Sequence, residues 1–175
     1  MARIPPVEYE SASHEVRKAY DEQIAAHGRV TNMKRTLGHS PLALRALMEW
    51  YALEGEVALF LGWRRARLFS HAISSLTDCL ICSTFFRRLL IDAGENPDAL
   101  ELDEQDRIIV DYGRQLARDS NQVSDGLFRS LESFLLPHQI VTLTTFGALM
   151  IATNVLNNAL KVDLDPYLAP YRKEG

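Results

Sequence analysis

Thr77-Asp78-Cys79-Leu80-Ile81-Cys82 separates two apolar-striped runs of helical length. Trp63 to Leu76 comes before it, with Leu68, Ala72 and Leu76 at four-residue spacing. The run to Ala93 comes after it, with Cys82, Phe86, Leu89, Leu90 and Ala93 on one face and Gly94 as its stop. That recurrence is the mark of a helix packed along one side. The six residues therefore read as a tight turn between two helices. Asp78 is a good capping residue, which predicts Cys79 in the first turn of the second helix. Free amides and the positive end of the helix dipole gather there, and both favour a thiolate. The three-residue spacing puts both sulfurs on one side of the helix.

Working outward, the same signals recur. Ser11 to His27 is amphipathic through Val16, Tyr20 and Ile24, and Gly28 ends it. Arg29 to His39 reads as a connector, partly helical at best. Ser40-Pro41 opens a helix with the stripe Leu44, Leu47, Met48, Tyr51, and Gly55 and Gly62 loosen the path into the next one. Asp103 caps a helix to about Arg118, Ser124 caps a short one, and Pro137 opens a long apolar one ending near Lys161. Asp165 to Gly175 reads as a tail. Period-two alternation is nearly absent. The expected fold is all-α, one domain over residues 1–175, with about seven helices.

Composition narrows the function. Net charge is −4 and the sequence pI about 5.7, so no basic stripe is present to collect phosphates, and nucleic acid is not expected as a partner. Met1 to Pro6 has no apolar signal region, which gives the expectation of a cytoplasmic protein. Gln139 to Leu160 carries no charge and is long enough to span a bilayer. Its threonines and asparagines, and the lack of flanking aromatic or basic belts, instead predict a buried central helix and no membrane. The two cysteines are the only thiols in the chain. Three readings stay open for them: a redox pair, an inert buried pair, or half of a metal site. A zinc site needs two further ligands, and no second Cys pair or His-x3–5-His supplies them, so no metal or cofactor is expected.

Taken in order, several segments resemble the carboxymuconolactone decarboxylase superfamily in its alkylhydroperoxidase AhpD-like branch. They are Val30-Thr31-Asn32-Met33, Leu37-Gly38-His39-Ser40-Pro41, Cys79-Leu80-Ile81-Cys82 with Gly94, Asp103 to Ala117, Val123-Ser124-Asp125, Gln139-Ile140-Val141, and Asn154-Val155-Leu156-Asn157-Asn158-Ala159-Leu160. The resemblance implies an AhpD-like helical bundle that forms a homo-oligomer. It implies reduction of a hydroperoxide or another small molecule at the expense of a thiol reductant of unknown identity. Cys82 would attack the peroxide and Cys79 would resolve the sulfenic acid. Lactone decarboxylation, the activity that names the superfamily, is the other chemistry implied. A helical oligomer without catalysis is the alternative to both.

Two positions depart from the family pattern. The peroxidase branch has a histidine four residues after the second cysteine, where this chain has Phe86. It has a glutamate twelve residues before the first, where this chain has Arg67. Those side chains relay protons to the thiols in that branch. His71, one helical turn beyond Arg67, is a candidate replacement base; its other reading is a histidine bonded within a helix pair. Arg67 would favour a thiolate by its charge if it pointed at the turn; its other reading is a surface arginine. Phe86 facing the thiols would raise their pKa.

Overall fold

Side-chain caps open most of the helices. The computed structural model describes residues 2–173; Met1, Glu174 and Gly175, with the last of the expected tail, lie outside the described residues. Ser13 Oγ accepts from the Val16 amide at the head of α1 (His14–His27). Thr31 Oγ1 does the same for α2 (Asn32–Leu37) and Ser40 Oγ for α3 (Pro41–Leu76). α4 (Leu80–Asp92) follows the cysteine turn. Asp103 and Asp106 cap α5 (Glu104–Asp119) reciprocally, Ser124 caps α6 (Asp125–Glu132), and Pro137 opens α7 (Pro137–Leu160). No strand forms among the described residues, and the fold is an all-α bundle.

Four expectations need correction. Gly55 stays helical, and the break falls at Gly62 alone, whose φ of 78° lies in the left-handed region that glycine enters without a Cβ penalty. α1 begins at His14 and not at Ser11, which closes a separate 3-10 turn, Tyr9–Ser11. Leu76 and Ala93 sit at helix ends and are exposed. The tail is a 3-10 helix, Pro166–Tyr171, packed on α4 with Leu168 buried. Asp165 fixes it by accepting from the Asn32 amide at 2.9 Å, and Arg29 lies 4.0 Å over the Tyr167 ring.

α3 is the axis of the bundle, with α4, α5 and α7 packed on it. Phe69 sits at its centre, stacked on Phe146 at 5.9 Å and Tyr112 at 6.3 Å. Two glycines let the neighbouring helices come that close. A Cβ on Gly113 would meet the Phe69 ring at 2.9 Å, and one on Gly147 would meet it at 2.8 Å. Arg64 and Arg65 converge on buried Asp106 and tie α3 to α5.

α7 is long and apolar enough to cross a membrane by length and composition. Here it is the core helix of the bundle. Leu143, Phe146, Met150, Asn154 and Asn157 face inward, while Val141, Thr145, Ala148, Ala152, Val155 and Ala159 face out. The inward asparagines place the site.

Candidate active site at the cysteine pair

The turn between α3 and α4 is built by backbone bonds that close the end of α3. The Cys79 amide donates to Ser74 O at 3.0 Å and the Asp78 amide to Ser75 O at 3.3 Å, with Asp78 left-handed at φ 51°. This pattern satisfies the last carbonyls of a helix. Asp78 therefore ends α3 and does not cap α4, contrary to the sequence reading. Aspartate tolerates the left-handed region better than most residues. Cys79 takes the capping position, and α4 begins one residue later than expected.

Three asparagines of α7 hold this turn. Asn154 Nδ2 donates to Thr77 Oγ1 at 2.8 Å and Asn158 Nδ2 to Thr77 O at 2.8 Å. Between them, Asn157 points its amide at both sulfurs, 3.3 Å from Cys82 Sγ and 3.9 Å from Cys79 Sγ. Its Oδ1 is buried without a hydrogen-bond partner. The sequence reading used these asparagines only as part of a resemblance. The available signal was their i, i+3, i+4 spacing, which puts three amides on one face of an otherwise apolar helix.

The cysteines approach to 3.4 Å and both are reduced and buried. Their environments differ in sign. Cys79 is pulled below the usual thiol range, first because the Cys82 thiol donates to it, then by the Cys82 backbone amide, Asn157 and the Ile81 amide; burial opposes this. No amide makes a full capping bond to its sulfur, so the backbone acts here as an oriented dipole. Cys82 is pushed well up, by Cys79 first and by burial second. Of the two, Cys79 therefore ionises the more readily and Cys82 holds its proton the more firmly.

The two sulfurs also face different spaces. Cys82 lines an apolar cavity of about 70 Å³ walled by Trp50, Tyr51, Phe85, Phe86 and three methionines. Cys79 lines an open cleft with Thr77, Asp78, Asn158 and Lys161. Phe86, at the family histidine's position, is 2% exposed and packs 5.8 Å from Trp50. It makes the Cys82 side dry and offers no proton.

His71 and Arg67 are elsewhere. His71 faces a third cleft with Ser75, Thr84, Arg87 and Asp98, which contains neither cysteine. Burial first and Arg87 second hold it down at about 4, so it is a neutral histidine between helices. Arg67 lies 6.0 Å over the Trp63 ring and faces Glu54, whose carboxyl burial pushes up to about 7. Neither side chain is among the groups that set the thiols. Among the described residues, no group of three or more His, Cys, Asp or Glu side chains gathers as a metal site.

No protein-family profile matches the sequence, and no curated protein matches it. Solved structures do. An uncharacterised peroxidase-related protein with an alkylhydroperoxidase AhpD core, from Ralstonia eutropha JMP134, superposes with a TM-score of 0.77 at 19% identity, over 95% of this chain and 94% of that one. A peroxidase-related protein from Silicibacter sp. TM1040 gives 0.74 at 16%, over 91% and 90%. The debrominase Bmp8, in complex with 2,3,4-tribromopyrrole, gives 0.77 at 12%, over 96% and 94%. At these identities the likeness speaks for architecture, and the chain has the fold of the alkylhydroperoxidase AhpD core.

Proposed function

We propose that this protein is a thiol–disulfide redox protein that reduces a hydroperoxide through Cys82 and Cys79. The observation that carries the reading is the pair itself: two sulfurs 3.4 Å apart that open to separate spaces. The missing His–Glu relay is replaced by the second cysteine. As the peroxide reaches Cys82 in the apolar cavity, the Cys79 thiolate takes the Cys82 proton. The Cys82 sulfur attacks the O–O bond, forming Cys82–SOH and releasing alkoxide. Cys79–SH gives its proton to the alkoxide, which departs as the alcohol, and Cys79 is again a thiolate. That thiolate attacks the sulfenic sulfur, forms the disulfide and expels hydroxide. Two sulfur electrons pass to the peroxide, and an external thiol reductant returns them from the Cys79 cleft.

Replacing either cysteine with serine is expected to remove peroxide turnover measured with a dithiol reductant. Turnover that survives both changes would refute the reading and leave a helical protein without catalysis. The debrominase neighbour and the apolar cavity favour a halogenated ring as a second electrophile for the same thiols.

The proposal includes a homo-oligomer in the cytoplasm. The outer face of α7 carries no charge, with Val141 65% and Val155 59% exposed, and Leu59 and Trp63 are exposed on α3. Exposed apolar side chains on an uncharged helix face support a contact of this kind.

A further inference from the structure

The cleft that holds His71 contains donors that the chain itself does not use. It measures about 380 Å³, room for roughly ten waters at the ~30 Å³ each takes in the liquid. His71 and Ser75 come from successive turns of α3, and Thr84 and Arg87 from successive turns of α4. Arg172 and Lys173, just past the terminal 3-10 helix, also line it.

Thr84 is 3% exposed, yet its hydroxyl has no hydrogen-bond partner among the described residues. On α7, Thr142, Thr144, Thr145 and Thr153 each return their hydroxyl to the carbonyl four residues back. The matching carbonyl for Thr84 is Leu80 O, which accepts from Ser83 Oγ at 3.4 Å. The Thr84 hydroxyl is left open to the cleft and is not sealed in the core. A hydroxyl in that position takes its partner from the space it faces. The His71 ring makes no hydrogen bond among the described residues either. Burial first, then Arg87, Arg114 and Lys173 against Asp98, keep it neutral, so one ring nitrogen carries a hydrogen to donate.

The balance of charge in the cleft is positive. Arg87, Arg172 and Lys173 line it against Asp78 and Asp98. Asp98 is already engaged, by Arg87 and by Lys173 at 3.6 Å. Arg172 makes no ion pair among the described residues. Unused hydroxyl and imidazole donors beside an unpaired guanidinium match an oxyanion, which presents acceptors on every side.

We propose that the cleft between α3 and α4 binds a small oxyanion, a phosphate or a carboxylate, with Thr84 Oγ1 and the His71 ring donating to it and Arg87 and Arg172 supplying the opposing charge. This site is separate from the thiol pair and holds whether or not the thiols turn over peroxide.

The test is a titration of the full chain at neutral pH with inorganic phosphate and with succinate, at an ionic strength held constant by sodium chloride. Amide NMR shifts at Ser75, Thr84 and Arg87 are the readout. At least one of the two anions is expected to saturate with a Kd on the order of 1 mM. Saturation by phosphate alone assigns a phosphate ligand, and by succinate alone a carboxylate one. Thr84→Val keeps the shape and removes the hydroxyl. It is expected to weaken binding on the order of tenfold, the value of one hydrogen bond to a charged acceptor. Its melting temperature without anion is expected to match or exceed that of wild type, because the hydroxyl has no partner to lose. No saturable shift with either anion overturns the proposal. So does Thr84→Val binding as tightly as wild type, or melting clearly lower without anion, which would give the hydroxyl a structural role. Peroxide turnover in Thr84→Val is expected to be unchanged, so failure of this site and failure of the thiol reading are read separately.

Discussion

A thiol becomes a nucleophile by what donates to its sulfur, and here most of the donors are other parts of the same turn. Cys79 lies below the usual thiol range chiefly because Cys82 donates to it. Cys82→Ala removes that donor and should move the alkylation midpoint of Cys79 to higher pH, while Cys82→Ser, which keeps a hydroxyl donor, should largely restore it. The sign follows from the direction of the shift: a donor favours the charged form, so losing it favours the proton. Asn157→Ala should move the same midpoint upward. One hydrogen bond to a charged group contributes about 1.5–3 kcal/mol, so reactivity at neutral pH should fall on the order of tenfold. Alkylation rates followed residue by residue by mass spectrometry check both. A Cys79 profile unmoved by either change would mean that the helix dipole alone sets it. Sequence showed the two sulfurs and their spacing. It did not show Asn157, which lies 75 positions from Cys82 and meets it only when α7 packs into the bundle. It also offered His71 as a candidate base and Arg67 as a charge near the turn, because helical periodicity shows which residues share a face and not what that face packs against.

Among the elements, α3 and α7 depend on close approach at Phe69. Gly147→Ala gains helix propensity of about 1 kcal/mol. It also forces a methyl to 2.8 Å from a ring confined on its other side by Gly113. Overpacking of this kind costs about 1–3 kcal/mol, and with no free side for the ring the upper part of that range applies. The variant should therefore lose about 2 kcal/mol, seen as a lower denaturant midpoint with an unchanged slope. A neutral result would show that the ring has room to shift. The caps Ser40, Asp103 and Ser124 were legible, since a cap is a local bond over three residues, while Ser13 and Thr31 were found only in the structure. Asp78 was misread because a side chain that can cap one helix can also end another in the left-handed region. The backbone bonds to Ser74 and Ser75 decide between the two.

At the scale of the whole molecule, the outer face of α7 is the feature the bundle leaves uncovered. Ala148→Glu/Val155→Glu places two carboxylates on it without touching the inner asparagines. If that face is the proposed homo-oligomer contact, sedimentation should show the wild type as an oligomer and the variant as a smaller species with helicity intact. A wild-type monomer would refute the contact. By itself the sequence determined the helical class, the helix starts marked by Ser40, Asp103, Ser124 and Pro137, and the thiol turn, because periodicity, capping and short loops are properties of neighbouring residues. Only the tertiary structure decided which sulfur ionises the more readily, that the supposed tail supplies Asp165 to the cavity wall, and that His71 and Arg67 stand apart from the thiols. Those outcomes depend on contacts between segments far apart in the chain, and spacing along one helix carries no information about them.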